Sequence, residues 1–282
     1  MLKVKTVAAV LAMITATLAA GVAQADAKEW KTLNVGVEGA FPPFNSTKAD
    51  GELVGLDLDV MKEACKRAQL ECKISAQDWD SLTPSLVAGK FDVMLTAGPT
   101  EERRKVIDFT NPYVITPNTF LVAADSPLVN LPNTGKSFSV DTEEGKQAIA
   151  ELKTALKGKV LGAALSTSQL KFAEEEFGSD SDVRTYKSAE QSLLDLTSGR
   201  IDAQFDNLIF ATDRAKASGG RLQPSGPFFV GGIMATNTTF GIRKDEPELK
   251  AILNDALASM QADGTLSKLS EKWFLMDLSP KQ

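Results

Sequence analysis

The residues with the clearest chemical potential are two adjacent arginines, Arg103 and Arg104, in the stretch TAGPTEERRKVIDFTNPY. The stretch follows an apolar run typical of a strand and opens a short helical pattern. The first arginine is therefore expected at the carboxyl end of a sheet, where open α/β sheets bind ligands. A guanidinium can donate two parallel hydrogen bonds to a carboxylate. The alternative is a solvated arginine paired with Glu101 or Glu102, and residue chemistry alone leaves both interpretations open.

The composition excludes several classes of site. The chain has 282 residues, two cysteines and no histidine, which removes the Ser-His-Asp and Cys-His arrangements of hydrolases and the usual ligand sets of zinc. We therefore expect no metal and no cofactor. With 43% hydrophobic and 24% charged residues, the chain has an ordinary globular composition and is long enough for one large domain or two smaller ones.

The start of the chain predicts a signal peptide over residues 1–25. Lys3 and Lys5 precede an apolar run that ends in AQA, and this order is typical of a secretory signal cleaved before Asp26. A membrane anchor is the alternative, although the run is short and rich in alanine. Loss of the two lysines changes the formal net charge from −6 to −8, so we expect an exported, acidic protein without a nucleic-acid partner.

The chain contains two cysteines, Cys65 and Cys72, which lie seven residues apart. In an exported protein, a pair so close in sequence predicts a local disulfide. This disulfide would tie the end of the predicted helix DLDVMKEACKRA to the start of the strand CKISAQ.

The order of predicted elements indicates an α/β protein. After the strand TLNVGVE and the proline-containing loop GAFPPFNS, helices and strands alternate as far as FDVMLTA, which predicts mainly parallel sheets with helices on their faces. The segments SLVAGKFDVML (residues 85–95) and DLTSGRIDAQF (residues 195–205) repeat one corner: helix end, Gly, basic residue, apolar residue, Asp, strand. This repeat predicts two similar α/β lobes.

Two extended, proline-containing segments predict crossings between the lobes. The first is NPYVITPNTFLVAADSP, with a hinge near Thr116–Thr119, and the return is LQPSGPFF, with a hinge near Ser225–Pro227. The C-terminal helices are then expected to pack on the first lobe. The predicted division is lobe 1 from residues 26–116 and 226–282, and lobe 2 from residues 117–225.

A set of motifs carries a resemblance to one family. The chain contains, in order, GELVGLDLDVMKEACKRA, WDSLTPSLVAGKFDV, TEERRKVIDFTNPYVITPNTF, SGRIDA and ADGTLSKLSEKWF. Together they resemble the periplasmic polar-amino-acid binding proteins of ABC importers, solute-binding protein family 3, over nearly the whole mature chain. Within that family, the segments VEGAF, AQDWDSLTPSL, VITPNTFLVAADSPL and WFLMDLSPKQ are most similar to the opine-binding branch of octopine and nopaline type.

The resemblance implies a type II periplasmic binding protein fold, in which two lobes joined by two hinge crossings close on one ligand. It also implies a periplasmic, monomeric protein that is not an enzyme. Such a protein would deliver an amino acid or amino-acid conjugate, in first place an opine, to an inner-membrane ABC permease. The alternative ligand is a cationic or polar amino acid: arginine, lysine, ornithine or glutamine.

The resemblance also implies site residues. In the family, an arginine at the position of Arg103 binds the ligand α-carboxylate, which leaves Arg104 as its solvated neighbour. Gly98 would add a backbone N–H, although many relatives have serine there. Glu38 would accept from an amine or guanidinium, Phe41 and Trp79 would flank the ligand, and Thr96 is a further site position. From the second lobe, Ser166, Thr167 and Ser168 lie in a loop at a helix N-terminus, where Thr167 and Ser168 would complete the carboxylate cradle. The alternatives are core packing for the aromatic residues, which we expect for Phe44, and a solvent-exposed loop for Glu38.

The segment DAQFDNLIF departs from the family pattern. Counted from Asp202, the family's ammonium-binding Asp falls on Asn207, and the available acid, Asp206, comes one residue early. A shift of one residue along a strand places the side chain on the opposite face of the sheet. Asp206 is therefore a site candidate whose side chain the pattern predicts to point away from the ligand. On this ground we predict a ligand whose α-nitrogen carries a substituent, as in an opine.

Two other functional classes compete with a binding protein. A periplasmic cyclohexadienyl dehydratase of the same fold would need a positioned acid to protonate a leaving hydroxyl, for which Glu38 and Asp206 are candidates. The extracellular sensor of a membrane receptor is the third class. It is disfavoured because no downstream segment approaches the length of a transmembrane helix.

Overall fold

The computed structural model describes residues 29–234 and 237–280, so the predicted signal peptide, residues 1–25, lies outside the described part. The described chain forms two large sheets flanked by helices and one small sheet of three strands. Within these residues, no helix combines the length and hydropathy that a membrane crossing requires. The predicted α/β class is confirmed.

The strands are β1 (Thr32–Val37), β2 (Ala40–Phe41), β3 (Asn45–Thr47), β4 (Leu53–Val54), β5 (Glu71–Ala76), β6 (Val93–Ala97), β7 (Ile107–Phe109), β8 (Val114–Ile115), β9 (Asn118–Ala123), β10 (Ser137–Ser139), β11 (Val160–Ala164), β12 (Asp182–Tyr186), β13 (Ala203–Asn207), β14 (Leu222–Val230) and β15 (Asn237–Arg243). The helices are α1 (Leu56–Ala68), α2 (Trp79–Val87), α3 (Glu101–Val106), α4 (Glu143–Leu156), α5 (Ser168–Phe177), α6 (Ala189–Thr197), α7 (Leu208–Ala217), α8 (Pro247–Ala262) and α9 (Thr265–Phe274).

The first lobe is built on the sheet β5-β1-β6-β15-β7, with β8 paired to β15. The alternating apolar side chains of β1, including Leu33 and Val35, are fully buried in one core with Leu253 of α8 and Phe274 of α9. Because apolar side chains are driven out of water, this shared core attaches the C-terminal helices to the first lobe, as predicted.

The second lobe is built on the sheet β10-β14-β9-β13-β11-β12 around a core rich in phenylalanine, including Phe120, Phe172, Phe205 and Phe229. In both lobes, most of the strands of the repeated α–β units run parallel. The strands that enter each lobe from a crossing, β9 and β15, run antiparallel to their neighbours. Each sheet therefore contains parallel and antiparallel strand pairs, and the antiparallel pairs include the strand by which the chain enters that lobe from the other one.

The repeated corner has the same geometry in both lobes. Gly89 and Gly199 have φ values of 76° and 72°, in the left-handed region that favours glycine at a helix end. Asp92 and Asp202 each accept a backbone N–H at 2.8 Å from the neighbouring strand, β1 in the first lobe and β11 in the second. The sequence repeat therefore marks two equivalent corners.

The first crossing lies at Thr116–Pro117, because β8 belongs to the first sheet and β9 to the second. The second crossing lies later than the predicted Ser225–Pro227, because β14 remains paired in the second sheet and Phe229 is buried in the second core. A φ of 82° at Gly226 and a register shift in β14 accommodate the prolines that had suggested a crossing. Residues 226–230 thus join the second lobe, and we propose lobe boundaries after Thr116 and between β14 and β15.

The disulfide between Cys65 and Cys72 is present, with a Cα–Cα distance of 6.3 Å. Cys65 is buried near the end of α1, and Cys72 lies in β5. The bond therefore joins the helix to the edge strand of the first sheet, as predicted.

We expect this disulfide to stabilise the exported protein by roughly 2–3 kcal/mol, because it restricts a short loop in the unfolded chain. Replacing both cysteines by serine should lower the free energy of unfolding by that amount in a denaturant titration. Thiol titration of the denatured, unreduced protein should find no free thiol. Two reactive thiols would contradict the prediction.

Candidate ligand-binding site

A cavity lies between the two lobes and contains about 730 Å³ of empty space, part of it continuous with solvent. Every predicted ligand-site residue except Ser166 lines it: Glu38, Phe41, Trp79, Thr96, Gly98, Arg103, Thr167, Ser168, Asp206 and Asn207. Ser166 is exposed outside this lining, in the turn before α5, with a φ of 58°.

Arg103 is a buried cation in the first lobe. Its side chain is 6% exposed, one terminal nitrogen donates to the Gly98 carbonyl at 3.1 Å, and its guanidinium lies 4.6 Å from the Trp79 ring centre. Among the described residues no carboxylate pairs with it, and its Nε has no hydrogen-bond partner. Burial lowers the pKa of Arg103 to about 10, so it remains charged at neutral pH and is able to receive an anion.

The local sequence explains why Arg103 and not Arg104 faces the cavity. Thr100 caps α3 by accepting the Arg103 backbone N–H at 3.2 Å, which sets the rotation of this short helix. Arg104 is exposed and lies over Phe109 at 5.5 Å. Gly98 contributes a carbonyl to the Arg103 side chain, and the role of its N–H towards a ligand stays a prediction.

Thr167 and Ser168 place a helix N-terminus in the cavity from the second lobe. Thr167 is the N-cap of α5: its hydroxyl accepts the Leu170 N–H at 3.1 Å and donates to the Ala164 carbonyl at 2.6 Å. Its hydroxyl is thus used within the helix cap. Ser168 is 4% exposed and begins α5, where unpaired backbone N–H groups attract anions.

Two aromatic side chains of the first lobe reach across the cavity. Trp79 donates its indole N–H to the Leu165 carbonyl at 3.0 Å, and Phe41 stacks on Phe210 with ring centres 4.8 Å apart. Phe44 is fully buried against Phe41, as expected for a core residue. Phe41 and Trp79 therefore border the cavity and also connect the lobes.

Glu38 and Asp206 bring acidic groups from opposite lobes into the cavity. Burial and, to a smaller extent, the negative charges of Asp206, Glu190 and Asp78 together raise the pKa of Glu38 to about 8. Burial also raises the pKa of Asp206 to about 7, against hydrogen bonds from the Asn207 N–H and the Gln204 amide.

Asp206 and Asn207 both line the cavity, so the expectation that Asp206 points away is not met. Strict alternation of faces ends here because β13 stops at Asn207 and the chain turns directly into α7. The Asn207 side chain caps α7 by accepting the Ile209 N–H at 2.8 Å, and its amide donates to Thr116. Asp206 is therefore the residue of the pair that places an ionisable group in the cavity lining.

Several residues line the cavity without having been predicted from the sequence: Phe44, Thr100, Thr116, Ala164, Gln169, Ala189, Asn237 and Thr238. Two of them had a local signal, because Thr100 precedes the arginine motif and Gln169 follows Thr167 and Ser168. No local signal identifies Asn237 and Thr238, which reach the site on β15 after the second crossing.

We expect ligand binding to hold the lobes closed about Thr116–Pro117 and the segment between β14 and β15, because the cavity draws residues from both lobes. Besides the aromatic contacts, Lys171 of the second lobe pairs with Glu101 of the first at 3.0 Å. Small-angle scattering should give a smaller radius of gyration with ligand than without it. An unchanged radius at saturation would contradict closure.

Comparison with known proteins agrees with this geometry. The profile of the bacterial extracellular solute-binding proteins, family 3, matches residues 33–276. The chain is 33% identical over 279 residues to the octopine-binding periplasmic protein of Rhizobium meliloti, covering 91% of this chain and 94% of that protein. It is 34% identical over 256 residues to the histidine-binding periplasmic protein of Salmonella typhimurium, covering 87% of this chain and 88% of that protein.

The fold is shared with solved structures of binding proteins. An ancestral arginine-binding protein bound to glutamine superimposes with a TM-score of 0.73 at 28% identity, covering 88% of this chain and 99% of that chain. The two-lobed architecture predicted from the motifs is thereby confirmed. The chain belongs to family 3 of the bacterial extracellular solute-binding proteins.

Proposed function

We propose that this protein is the periplasmic substrate-binding component of an ABC importer and that its ligand is an amino-acid conjugate of opine type. The observation that carries the proposal is Arg103, a buried cation in the cavity between the lobes that no carboxylate of the described residues neutralises. A buried charge without a partner is costly. A ligand carboxylate bound to Arg103 would supply the missing negative charge and offset this cost.

The rest of the cavity suits a ligand that also carries a positive group. Glu38 and Asp206 are charged only when their protons leave, and a cationic group placed between them would stabilise the ionised forms. A carboxylate would lie on Arg103 and the N-terminus of α5. Octopine-type conjugates of cationic amino acids combine these charges, and one of the similar proteins is an octopine-binding protein.

A free cationic amino acid, such as arginine or lysine, is the second candidate ligand. The observation that favours it is the position of Asp206, whose carboxylate lines the cavity beside Asn207. An α-ammonium is a compact cation that needs an ionised acceptor once it is desolvated. The histidine-binding protein among the relatives is in keeping with this candidate.

A calorimetric panel separates the two candidates. We expect octopine or nopaline to bind at least about tenfold more tightly than arginine, lysine, ornithine or glutamine, which corresponds to about 1.4 kcal/mol. Submicromolar binding of an unmodified amino acid, without opine binding, would select the second candidate. Asp206→Asn is a second test, because it should weaken the binding of a free amino acid more than the binding of a conjugate with a substituted α-nitrogen.

We propose that the protein has no enzymatic activity, is monomeric and hands its ligand to a permease. The relatives with similar sequences are binding proteins by name. Incubation with prephenate and arogenate should give no product, whereas turnover abolished by Glu38→Gln would indicate a dehydratase. Native mass spectrometry of the purified protein would report both its oligomeric state and any ligand retained in the cavity.

A further inference from the structure

The Asp57 carboxylate is a buried acid that the ligand site described above does not include. It lies in the first turn of α1 and is 0% exposed. No lysine or arginine of the described residues pairs with it, and burial raises its pKa to about 6 against the hydrogen bonds it accepts. An acid held only by neutral donors contributes little net stability, since desolvation opposes its hydrogen bonds.

One donor to Asp57 comes from the end of β6, just before the turn that leads to Arg103. The Thr96 hydroxyl donates to the Asp57 carboxylate, and the same threonine lines the ligand cavity. Thr96 has a φ of 58°, a left-handed conformation that is unfavourable for a β-branched residue and persists only when its surroundings impose it. The hydrogen bond to Asp57 therefore helps to hold the turn from which Gly98 and Arg103 follow.

A second donor connects Asp57 to the loop that carries Glu38. The Asn45 amide donates to Asp57 and to the Thr96 hydroxyl, each at 2.9 Å. The carbonyl oxygen of the same side chain accepts the Gly39 N–H at 2.8 Å. Because both ends of the Asn45 side chain are engaged, the backbone next to Glu38 is tied to the same carboxylate.

The third donor is Tyr113, whose hydroxyl lies 2.7 Å from the Asp57 carboxylate. Tyr113 is 1% exposed, packs on Phe240 with ring centres 4.9 Å apart, and precedes the first crossing at Thr116–Pro117. The three donors thus come from the three segments that carry the carboxylate-binding arginine, the acidic Glu38 and the approach to the hinge.

We propose that Asp57 is a positioning residue of the ligand site. It fixes the Arg103 loop (residues 96–103) and the Glu38 loop (residues 38–46) relative to each other without touching the ligand. Strands β1 and β6 pair at Val35–Val93 and Gly36–Met94, short of Glu38 and Thr96. A shared hydrogen-bond acceptor beyond this pairing fixes the segments that follow the two strands relative to each other. The inference rests on the proposed function only in that the cavity takes a ligand.

The neighbouring acid Asp59 provides a matched control. It also lies in the first turn of α1, but it accepts from Lys272 at 2.7 Å and from the Trp273 indole at 2.8 Å. These contacts attach α1 to α9 and do not involve the cavity. Asp57→Asn and Asp59→Asn therefore each remove one negative charge with little change of shape, and only the first disturbs the donors that reach the ligand site.

The first measurement is amide hydrogen exchange by mass spectrometry on the mature protein without ligand. We expect Asp57→Asn to accelerate exchange selectively in peptides covering residues 38–46 and 96–103, because the groups that hold these loops lose their shared acceptor. Asp59→Asn should leave both segments at the wild-type rate. This readout does not depend on the identity of the ligand.

The second measurement is calorimetric binding of octopine and of L-arginine. We expect Asp57→Asn to weaken the probe that binds by at least about tenfold, whereas Asp59→Asn changes the affinity less than about twofold. Tyr113→Phe should weaken binding in the wild-type background and add nothing in the Asp57→Asn background, because it acts through the same carboxylate. A residue that merely stabilised the fold would not produce this non-additivity in affinity.

The outcomes separate the inference from the proposed function. If neither probe binds the wild type, the proposed ligand class fails, and exchange decides the inference: selective acceleration in the two loops supports it, and unchanged or uniformly raised exchange overturns it. If Asp57→Asn does not fold, Tyr113→Phe takes its place in both measurements. Wild-type affinity together with wild-type exchange in the two loops would overturn the proposal.

Discussion

Replacing Arg103 by alanine is expected to abolish ligand binding and to leave the protein folded. A ligand carboxylate buried without its charged partner costs roughly 3–5 kcal/mol, equivalent to a loss of affinity of a hundredfold to more than a thousandfold. The fold should tolerate the change, because Arg103 is buried without a pairing carboxylate among the described residues. We expect the melting temperature of the ligand-free protein to stay the same or to rise.

Arg104→Ala is the matched control for this experiment. Its side chain is exposed over Phe109, so its loss should change ligand affinity by less than about 0.5 kcal/mol. Arg103→Lys tests the geometry as well as the charge, since an ammonium cannot donate the paired hydrogen bonds of a guanidinium. Comparable losses of affinity in Arg103→Ala and Arg104→Ala, measured by calorimetry, would show that the assignment is wrong.

The second large effect is a decrease in stability of the ligand-free protein as the pH rises from about 4 to about 8. The native pKa values of Glu38 and Asp206, about 8 and about 7, exceed their ordinary values of 4.5 and 3.8. In that pH interval the native state binds more protons than the unfolded state, so raising the pH favours unfolding. For Asp206 alone the effect is at most on the order of 4 kcal/mol, because each pKa unit corresponds to about 1.36 kcal/mol.

Asp206→Asn should remove part of this pH dependence. We expect the variant to be more stable than the wild type at pH 8 and similar to it at pH 4, as measured by urea denaturation across the range. Glu144→Gln, which changes an exposed acid of the second lobe, is the control for loss of one negative charge. Equal slopes in the wild type and Asp206→Asn would contradict the raised pKa of Asp206.

A cationic ligand should make Glu38 and Asp206 release part of the protons that they hold in the ligand-free protein. Binding stabilises the ionised forms of Glu38 and Asp206, so protons are released near neutral pH and affinity for a cationic probe should increase from pH 6 to pH 8. Calorimetry in two buffers of different ionisation enthalpy measures the released protons directly. Binding enthalpies that are the same in both buffers would show that the two acids do not face the cationic group.

The architecture could be predicted from the sequence because its signals are local. The repeated Gly and Asp corners use left-handed glycines and strand-end hydrogen bonds that depend on only a few neighbouring residues. The proximity of Cys65 and Cys72, in a chain whose start predicts export, was enough to predict their disulfide. The extended, proline-containing segment LQPSGPFF predicts the second crossing too early, because Gly226 and a register shift let β14 continue through it.

The candidate site was predictable only in part. Residue chemistry alone left Arg103 open between a ligand site and solvent, and the resemblance of the ordered motifs to the family singled it out. Thr100 orients the helix of Arg103 within the same stretch. The raised pKa values of Glu38 and Asp206 depend first on burial, and that of Glu38 also on the charge of Asp206 across the cleft. No local pattern contains either effect. Asn237 and Thr238 join the cavity through β15, far along the chain from Arg103.

The amino-acid sequence by itself determined the two-lobed α/β fold, the family and the arginine available for a carboxylate, because helix ends, strand patterns and ordered motifs are properties of neighbouring residues. Tertiary structure decided which acids enter the cavity. At the end of β13 the chain turns into α7, so Asn207 becomes a helix cap and Asp206 lines the cavity with an ionisable carboxyl group. Tertiary structure also placed Asp57 among donors from three separate segments, because a shared hydrogen-bond acceptor exists only once distant parts of the chain have packed together.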